Sequence, residues 1–316
     1  VEWIGEVPEH WKVKKLKYLA SIRPSSVDKK TVEGDVEVFL CNYVDVYKND
    51  QITEGIDFMK ATATAAQFEQ FRLRKGDVLA TKDSEDPADI AVPALVVEEF
   101  DNVVCGYHLT QIRPVSSILN SSFLFWIFKS KPFNSYFEIE AKGVTRYALS
   151  IAAFAGAPIL NPPIKEQTAI ATYLDRKTAQ IDQTIAEKER LIELFREERQ
   201  AIINHAVTKG IRPGVKMKDS GVEWIGEVPE HWEVKRVKHV CKLQGRIGFK
   251  GYSKTDLVNE GEGALTLGAK HINKRNELDL SSPEFLSWEK YYESPEIMVQ
   301  QGHVIVTQRG SLGRSY

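Results

Sequence analysis

Two short segments carry the side-chain types that read nucleic acid. Thr81-Lys82-Asp83-Ser84 follows an apolar run, and Lys142-Gly143-Val144-Thr145-Arg146-Tyr147 follows a long aromatic stretch. Hydroxyls, amides and cations on a loop after a rigid strand are the groups that contact base edges and phosphates. Arg146 adds a guanidinium for a phosphate, and Tyr147 a ring that can stack. Near the end of the chain Thr307-Gln308-Arg309-Gly310-Ser311 offers the same chemistry after another apolar run. Ordinary surface loops use these residues too, so residue types alone leave both readings open.

The search for catalytic groups is empty. Asn161-Pro162-Pro163-Ile164 approaches the Asn-Pro-Pro-aromatic pattern of amino-group DNA methyltransferases, but Ile164 lacks the ring that would stack on a flipped base. No glycine-rich strand-to-helix turn lies upstream to hold a nucleotide cofactor, so the segment reads as a helix entry. Asp83, Glu85, Asp86 and Asp89 form an acidic segment that suits solvent better than a magnesium site. The seven histidines show no ligand spacing, and neither a phosphate-binding loop nor a nucleophile elbow is present. The expectation is a chain with no catalytic residue, no metal and no cofactor.

The elements that must position the loops are short strands and one exceptional helix. Val36–Leu40, Asp77–Thr81 and Val103–Cys105 are apolar or alternating runs bounded by Gly, Asp and Asn, which predicts strands. Leu119 to Phe137 is dense in aromatics and predicts a buried helix that Pro132 ends or kinks. After Pro162-Pro163 no Gly or Pro occurs until Gly210. That span predicts a single helix of about 45 residues, about 67 Å long. Ile170, Leu174, Ile181, Ile185, Ile192, Phe195 and Ile202 follow a 3–4 spacing flanked by Glu and Lys, the pattern of a coiled-coil interface. From Ile211 to Ser220 the sequence reads as a polar loop.

The chain also repeats itself. Val1-Glu2-Trp3-Ile4-Gly5-Glu6-Val7-Pro8-Glu9-His10-Trp11 returns unchanged as residues 222–232. Leu73–Asp83 is echoed by Val299–Arg309, so the frame is kept while the intervening stretches diverge. The period is that of a whole domain with a connector, far beyond the roughly 20–50 residues of solenoid repeats. Trp3, Trp11 and Pro8, with Trp224, Trp232 and Pro229, predict a packed N-terminal lid on each copy. The expected fold class is mixed α/β, α+β in layout. A domain over 1–161 precedes the long helix at 162–210, and a partial second copy occupies 211–316. The second copy stops opposite the middle of the first, and the start at Val1 without Met predicts a few preceding residues.

Composition sets the class. The 316 residues are 42% hydrophobic and 27% charged, which argues for packed cores over disorder. No apolar run approaches the roughly 20 residues of a membrane helix, and no secretory leader is seen. Three scattered cysteines suggest neither a disulfide framework nor a zinc site, and the expected location is the cytoplasm. A net charge of −2 weighs against nucleic-acid binding by bulk charge, although base reading needs only local charge.

Taken in order, these segments resemble the specificity subunits of type I restriction-modification systems. The resemblance rests on Trp-Ile-Gly-Glu-Val-Pro-Glu-His-Trp, Lys75–Lys82, Gly143–Tyr147, and Asn161–Gln167 leading into Ile170–Asp175. Thr208-Lys209-Gly210 just ahead of the repeat agrees as well, so the resemblance covers the whole chain. It implies a bacterial-defence adaptor whose target recognition domains each read half of a bipartite double-stranded DNA site. Long helices in such subunits space the domains, dock methyltransferase subunits and link to the restriction subunit. DNA methylation, translocation and cleavage then belong to those partners.

On this reading Lys82 and Arg146 are the expected DNA contacts, with Thr81, Lys142, Thr145 and Tyr147 beside them and Gln308 and Arg309 as second-copy counterparts. The chain departs from the family pattern by lacking a second long helix. The helix is therefore expected to pair with its equal in another copy, or to stay open for a methyltransferase subunit. A symmetric homodimer would read an inverted-repeat site. The competing reading is a coiled-coil scaffold whose flanking domains bind protein or a small ligand; a nuclease or methyltransferase fragment is a weaker third.

Overall fold

The computed structural model describes residues 5–245, 251–273, 275–307 and 315–316, in two compact units covering 1–196 and 197–316. The first unit opens with β1 (Lys12–Lys15), then β2 (Ala20–Pro24). β3 (Val36–Cys41) passes straight into α1 (Tyr43–Lys48) because Asn42 is a reciprocal cap. Its Oδ1 accepts from Val44 N at 2.9 Å, while its own N–H donates to Asp45 at 2.8 Å. β4 (Gln51–Ile52), β5 (Met59–Ala63) and α2 (Ala65–Phe71) follow, with Thr64 and Gln67 capping α2 in the same way. Next come β6 (Val78–Thr81), β7 (Asp83–Ser84), β8 (Pro93–Val96), β9 (Val103–Cys105) and β10 (Leu109–Pro114).

Five of these strands form one sheet in the order β2-β10-β6-β8-β4, and β5-β3-β9 form another. Both faces of the five-stranded sheet are covered. Alternation along β6 sends Val78 and Ala80 into one core and Leu79 into the other. The first core is helical, and the second lies toward β3, β5 and β9.

The aromatic stretch predicted as one helix is two, α3 (Ser121–Lys129) and α4 (Lys131–Glu140). Pro132 sits in the first turn of α4, where its missing N–H leaves nothing unpaired. Phe123, Phe125, Phe128, Phe133 and Phe137 are all buried, joined by Phe154 of α5 (Ile151–Gly156). Between α4 and α5 lie β11 (Lys142–Gly143) and β12 (Tyr147–Ala148), and β13 (Pro158–Asn161) returns to pair with β1.

The helix entry is built as the sequence implied. α6 runs Ile164–Lys209, 46 residues. The fully buried Gln167 ties its first turn to the domain: Oε1 accepts from Asn120 N at 2.8 Å, and Nε2 donates to the carbonyls of Pro162 at 2.8 Å and Ile118 at 3.1 Å. Glu166 accepts from Trp11 Nε1 at 3.0 Å and meets His10 Nε2 at 3.0 Å. These bonds hold the Glu166 carboxyl below the usual carboxylate range, the His10 contact contributing most. Ile170, expected in the coiled-coil seam, instead packs against the domain's own core, and Leu174 is half-buried. From Ile181 onward the stripe is exposed: Ile181, Ile185, Ile192, Phe195 and Ile202 each show half or more of their surface.

In the second unit β14 (Met217–Asp219) and β15 (Glu227–Pro229) pair, so part of the predicted polar loop is strand. β16 (Leu257–Val258), β17 (Gly263–Thr266) and β18 (Glu284–Ser287) form a sheet ordered β16-β18-β17, followed by α7 (Trp288–Tyr292). The repeat shows in small devices. Ser287 caps α7 as Thr64 caps α2, and Gln300 N donates to His303 Nδ1 at 3.3 Å where Arg74 N donates to Asp77 at 2.9 Å. The predicted lid fails at Trp224, which is 85% exposed; Trp3 lies outside the described residues. Among the described residues no helix is long and apolar enough to cross a membrane.

Candidate nucleic-acid interface

The two loops singled out by chemistry, some 60 residues apart in sequence, meet on one small sheet ordered β11-β12-β7. Ser84 pairs with Tyr147 and Asp83 with Ala148, while Leu149 N donates to the Lys82 carbonyl at 2.8 Å. The β11–β12 hairpin depends on Gly143, because a Cβ there would overlap the Arg146 carbonyl oxygen. Lys142, Val144, Thr145 and Arg146 are exposed on this hairpin, and Tyr147 is half-buried against the helical core.

A third segment, absent from the sequence expectations, completes the site. Gly106 brings it close, donating to the Cys41 carbonyl at 2.7 Å in a space where a Cβ would meet that same oxygen. Tyr107 and His108 follow. His108 accepts Lys82 N on its carbonyl at 3.0 Å, and its ring stands edge-on to Tyr43 and Tyr107, with centroids 5.6 and 5.2 Å away. The clue in the sequence was the Tyr107-His108 pair, one glycine beyond the predicted strand Val103–Cys105.

Asp83 is the hub. Its side chain is only 13% exposed, it accepts from Arg146 Nη2 at 2.5 Å, and both its oxygens lie 2.9 Å from His108 Nδ1. The ion pair with Asp83 raises the Arg146 guanidinium above its ordinary range. Lys82 is half-buried, donates to the Ser25 carbonyl at 2.9 Å and sits 4.2 Å from the centre of the Tyr107 ring. Burial lowers its ammonium pKa.

Thr81, expected among the contacts, belongs to the scaffold instead. It is fully buried, and its hydroxyl accepts from Val92 N at 3.0 Å. Being the last residue of a strand covered on both faces, it turns inward where Lys82 turns out. Gln308 and Arg309 lie outside the described residues. The acidic segment is dispersed: Asp83 is paired with Arg146 and His108, and Asp86 caps a short turn by accepting from Ala88 N at 2.9 Å. Among the described residues no cluster of His, Cys, Asp and Glu could hold a metal.

The site therefore offers two cations already oriented by partners, one imidazole, two exposed tyrosine faces and an exposed basic hairpin. Such a set can grip a backbone, stack on bases and donate to base edges. An Asp-His pair can also serve a nucleophile, but His108 Nε2 has no hydrogen-bond partner among the described residues.

Comparison with known proteins points the same way. Residues 8–194 match the family model for the type I restriction modification DNA specificity domain. The chain is 22% identical over 306 residues to the type I restriction enzyme MjaVIII specificity subunit of Methanocaldococcus jannaschii, covering 95% of this chain and 64% of that protein. It is 23% identical over 285 residues to the putative MjaX specificity subunit of the same organism, covering 84% of this chain and 61% of that one. The chain thus spans under two thirds of the curated relatives it matches. Among solved structures, the HsdS subunit of Thermoanaerobacter tengcongensis aligns with a TM-score of 0.44 and 20% identity over 66% of this chain and 47% of that one.

Proposed function

The chain belongs to the type I restriction modification DNA specificity domain family, and we propose that it is the non-catalytic sequence-reading chain of such a system. The observation that carries this reading is the pairing of β7 with β12, which gathers Lys82, Arg146 and the exposed Lys142 hairpin beside Tyr107 and His108. Two stretches chosen separately for nucleic-acid chemistry form one face, supported from behind by a doubly covered sheet. A rigid frame is what base reading requires, since discrimination depends on donor direction as well as charge.

In this proposal 1–161 is the first target recognition domain, 162–210 the spacer helix and 211–316 a partial second domain. Methylation and cleavage belong to methyltransferase and restriction subunits that associate in the cytoplasm. The exposed stripe Ile181, Ile185, Ile192, Phe195 and Ile202 serves as the helical interface, to a second copy or to a methyltransferase subunit. A 46-residue helix buried only over its first turns needs such a cover.

The test is DNA binding by the chain together with its methyltransferase subunit. Lys142→Ala should weaken binding to every duplex alike and lower the salt slope by about one. Arg146→Ala should reduce discrimination as well as affinity. Binding that neither substitution changes would remove this face from the reading.

A further inference from the structure

We infer that His108 is a specificity-determining residue, reading an exocyclic base amino group through Nε2, and that Asp83 positions both His108 and Arg146 for base edges. The inference rests on the DNA-reading proposal and names the class of group contacted. The observation behind it is that His108 Nδ1 cannot serve two masters. It lies 2.9 Å from both oxygens of Asp83 and 3.2 Å from Arg146 Nη2. A carboxylate only accepts and a guanidinium only donates, so a proton on Nδ1 satisfies Asp83 and excludes a bond from Arg146. The shorter pair of distances and the opposite polarity favour Asp83. In the neutral ring Nε2 is then bare, an acceptor with no partner among the described residues.

Orientation is fixed on every side. Tyr43 and Tyr107 hold the ring edge-on, and the main chain of His108 is tied by its carbonyl to Lys82 N at 3.0 Å. The side chain keeps 31% of its surface open. A bare nitrogen on a partly open ring beside a basic hairpin accepts from the amino groups of adenine or cytosine and repels the O6 or O4 acceptors of guanine and thymine.

Asp83 also decides what Arg146 does. A carboxylate 2.5 Å from Nη2 cancels much of the charge a phosphate would seek and repels the phosphate itself. Guanine O6 and N7 are neutral acceptors, and a guanidinium steered by a carboxylate still donates to them in a set direction. The geometry suits a base-reading arginine, leaving phosphates to exposed cations such as Lys142.

The experiment is selection from a randomised DNA duplex library by the full chain with its methyltransferase subunit, for wild type, H108N, R146K and D83N. Asn at 108 keeps a donor near the place of Nδ1 and removes Nε2, so it preserves a merely structural role. The expected result is a wild-type motif that H108N relaxes at one position, by about five- to 150-fold, with the other positions kept. R146K should relax a different position, and D83N should relax both. An H108N motif identical to wild type would overturn the inference and leave DNA reading intact. A wild-type chain that selects no motif would overturn the DNA-reading proposal and this inference with it. If H108N lowers the melting temperature and flattens every position, H108A, which removes both ring nitrogens, is read in its place: a motif identical to wild type overturns the inference, and relaxation at one position supports it.

Discussion

Asp77→Ala should be the most damaging single polar substitution in the first unit. Asp77 is fully buried just ahead of β6, and its side chain accepts four hydrogen bonds: Arg113 Nε at 2.6 Å, Arg113 Nη2 at 2.8 Å, Gln111 Nε2 at 2.8 Å and Arg74 N at 2.9 Å. That pairing raises the Arg113 guanidinium above its ordinary range. Removing the carboxylate strands a cation and a buried amide together, a loss of about 3–5 kcal/mol. Arg113 keeps 22% side-chain exposure and also donates to the Arg72 carbonyl at 3.1 Å, which places the cost near the low end, about 3 kcal/mol. For a unit of this size roughly 2–4 °C accompanies each kcal/mol, so thermal unfolding followed at 222 nm should shift down by about 6–12 °C. The double variant D77A/R113A should recover part of that shift, because the unpaired charge is gone. A D77A shift under about 2 °C, or a double variant worse than the sum of the singles, would refute the account of this buried pair.

Other predictions are more local. Gln167→Ala removes the partner of Asn120 N and of two carbonyls at the helix entry, and should cost about 1–3 kcal/mol in chemical denaturation. Gly143→Ala should leave far-UV circular dichroism near wild type while lowering DNA affinity, since the clash falls on the hairpin that carries Arg146. Glu166 has a lowered folded pKa, so its link to His10 and Trp11 contributes above the unfolded carboxyl range and is lost as pH falls through the folded value. Trp11 fluorescence should accordingly change only at acidic pH, below the usual glutamate range, and Glu166→Gln should abolish that transition. If the exposed stripe is a helical interface as proposed, Ile192→Asp combined with Phe195→Asp should abolish association measured by sedimentation and leave the melting of the first unit unchanged.

Much of the scaffold was legible because it follows local rules. The strands at Val36, Val78 and Val103 and the start of the long helix came from alternation, punctuation and the Pro-Pro entry. Pro132 marked a break, but not that a second helix would begin at once, since the packing of Phe133 and Phe137 on Phe128 is tertiary. Thr81 was misjudged because sequence adjacency to Lys82 says nothing about which side of a strand end faces the core. Ile170 fitted the heptad spacing equally well whether it faced a partner helix or its own domain. His108, Tyr107 and Tyr43 were missed for a related reason: each is ordinary alone, and only the turn at Gly106 and the cap at Asn42 bring them to Asp83.

The central claim is that this chain sets the DNA sequence its partners act on. The most direct measurement is methylome sequencing of cells carrying the chain with its cognate methyltransferase subunit, against cells with the methyltransferase subunit alone. The account predicts a new bipartite adenine-methylation motif that appears only with the chain and changes in the R146A variant. Demonstrated expression and association of both proteins with no new motif would contradict it.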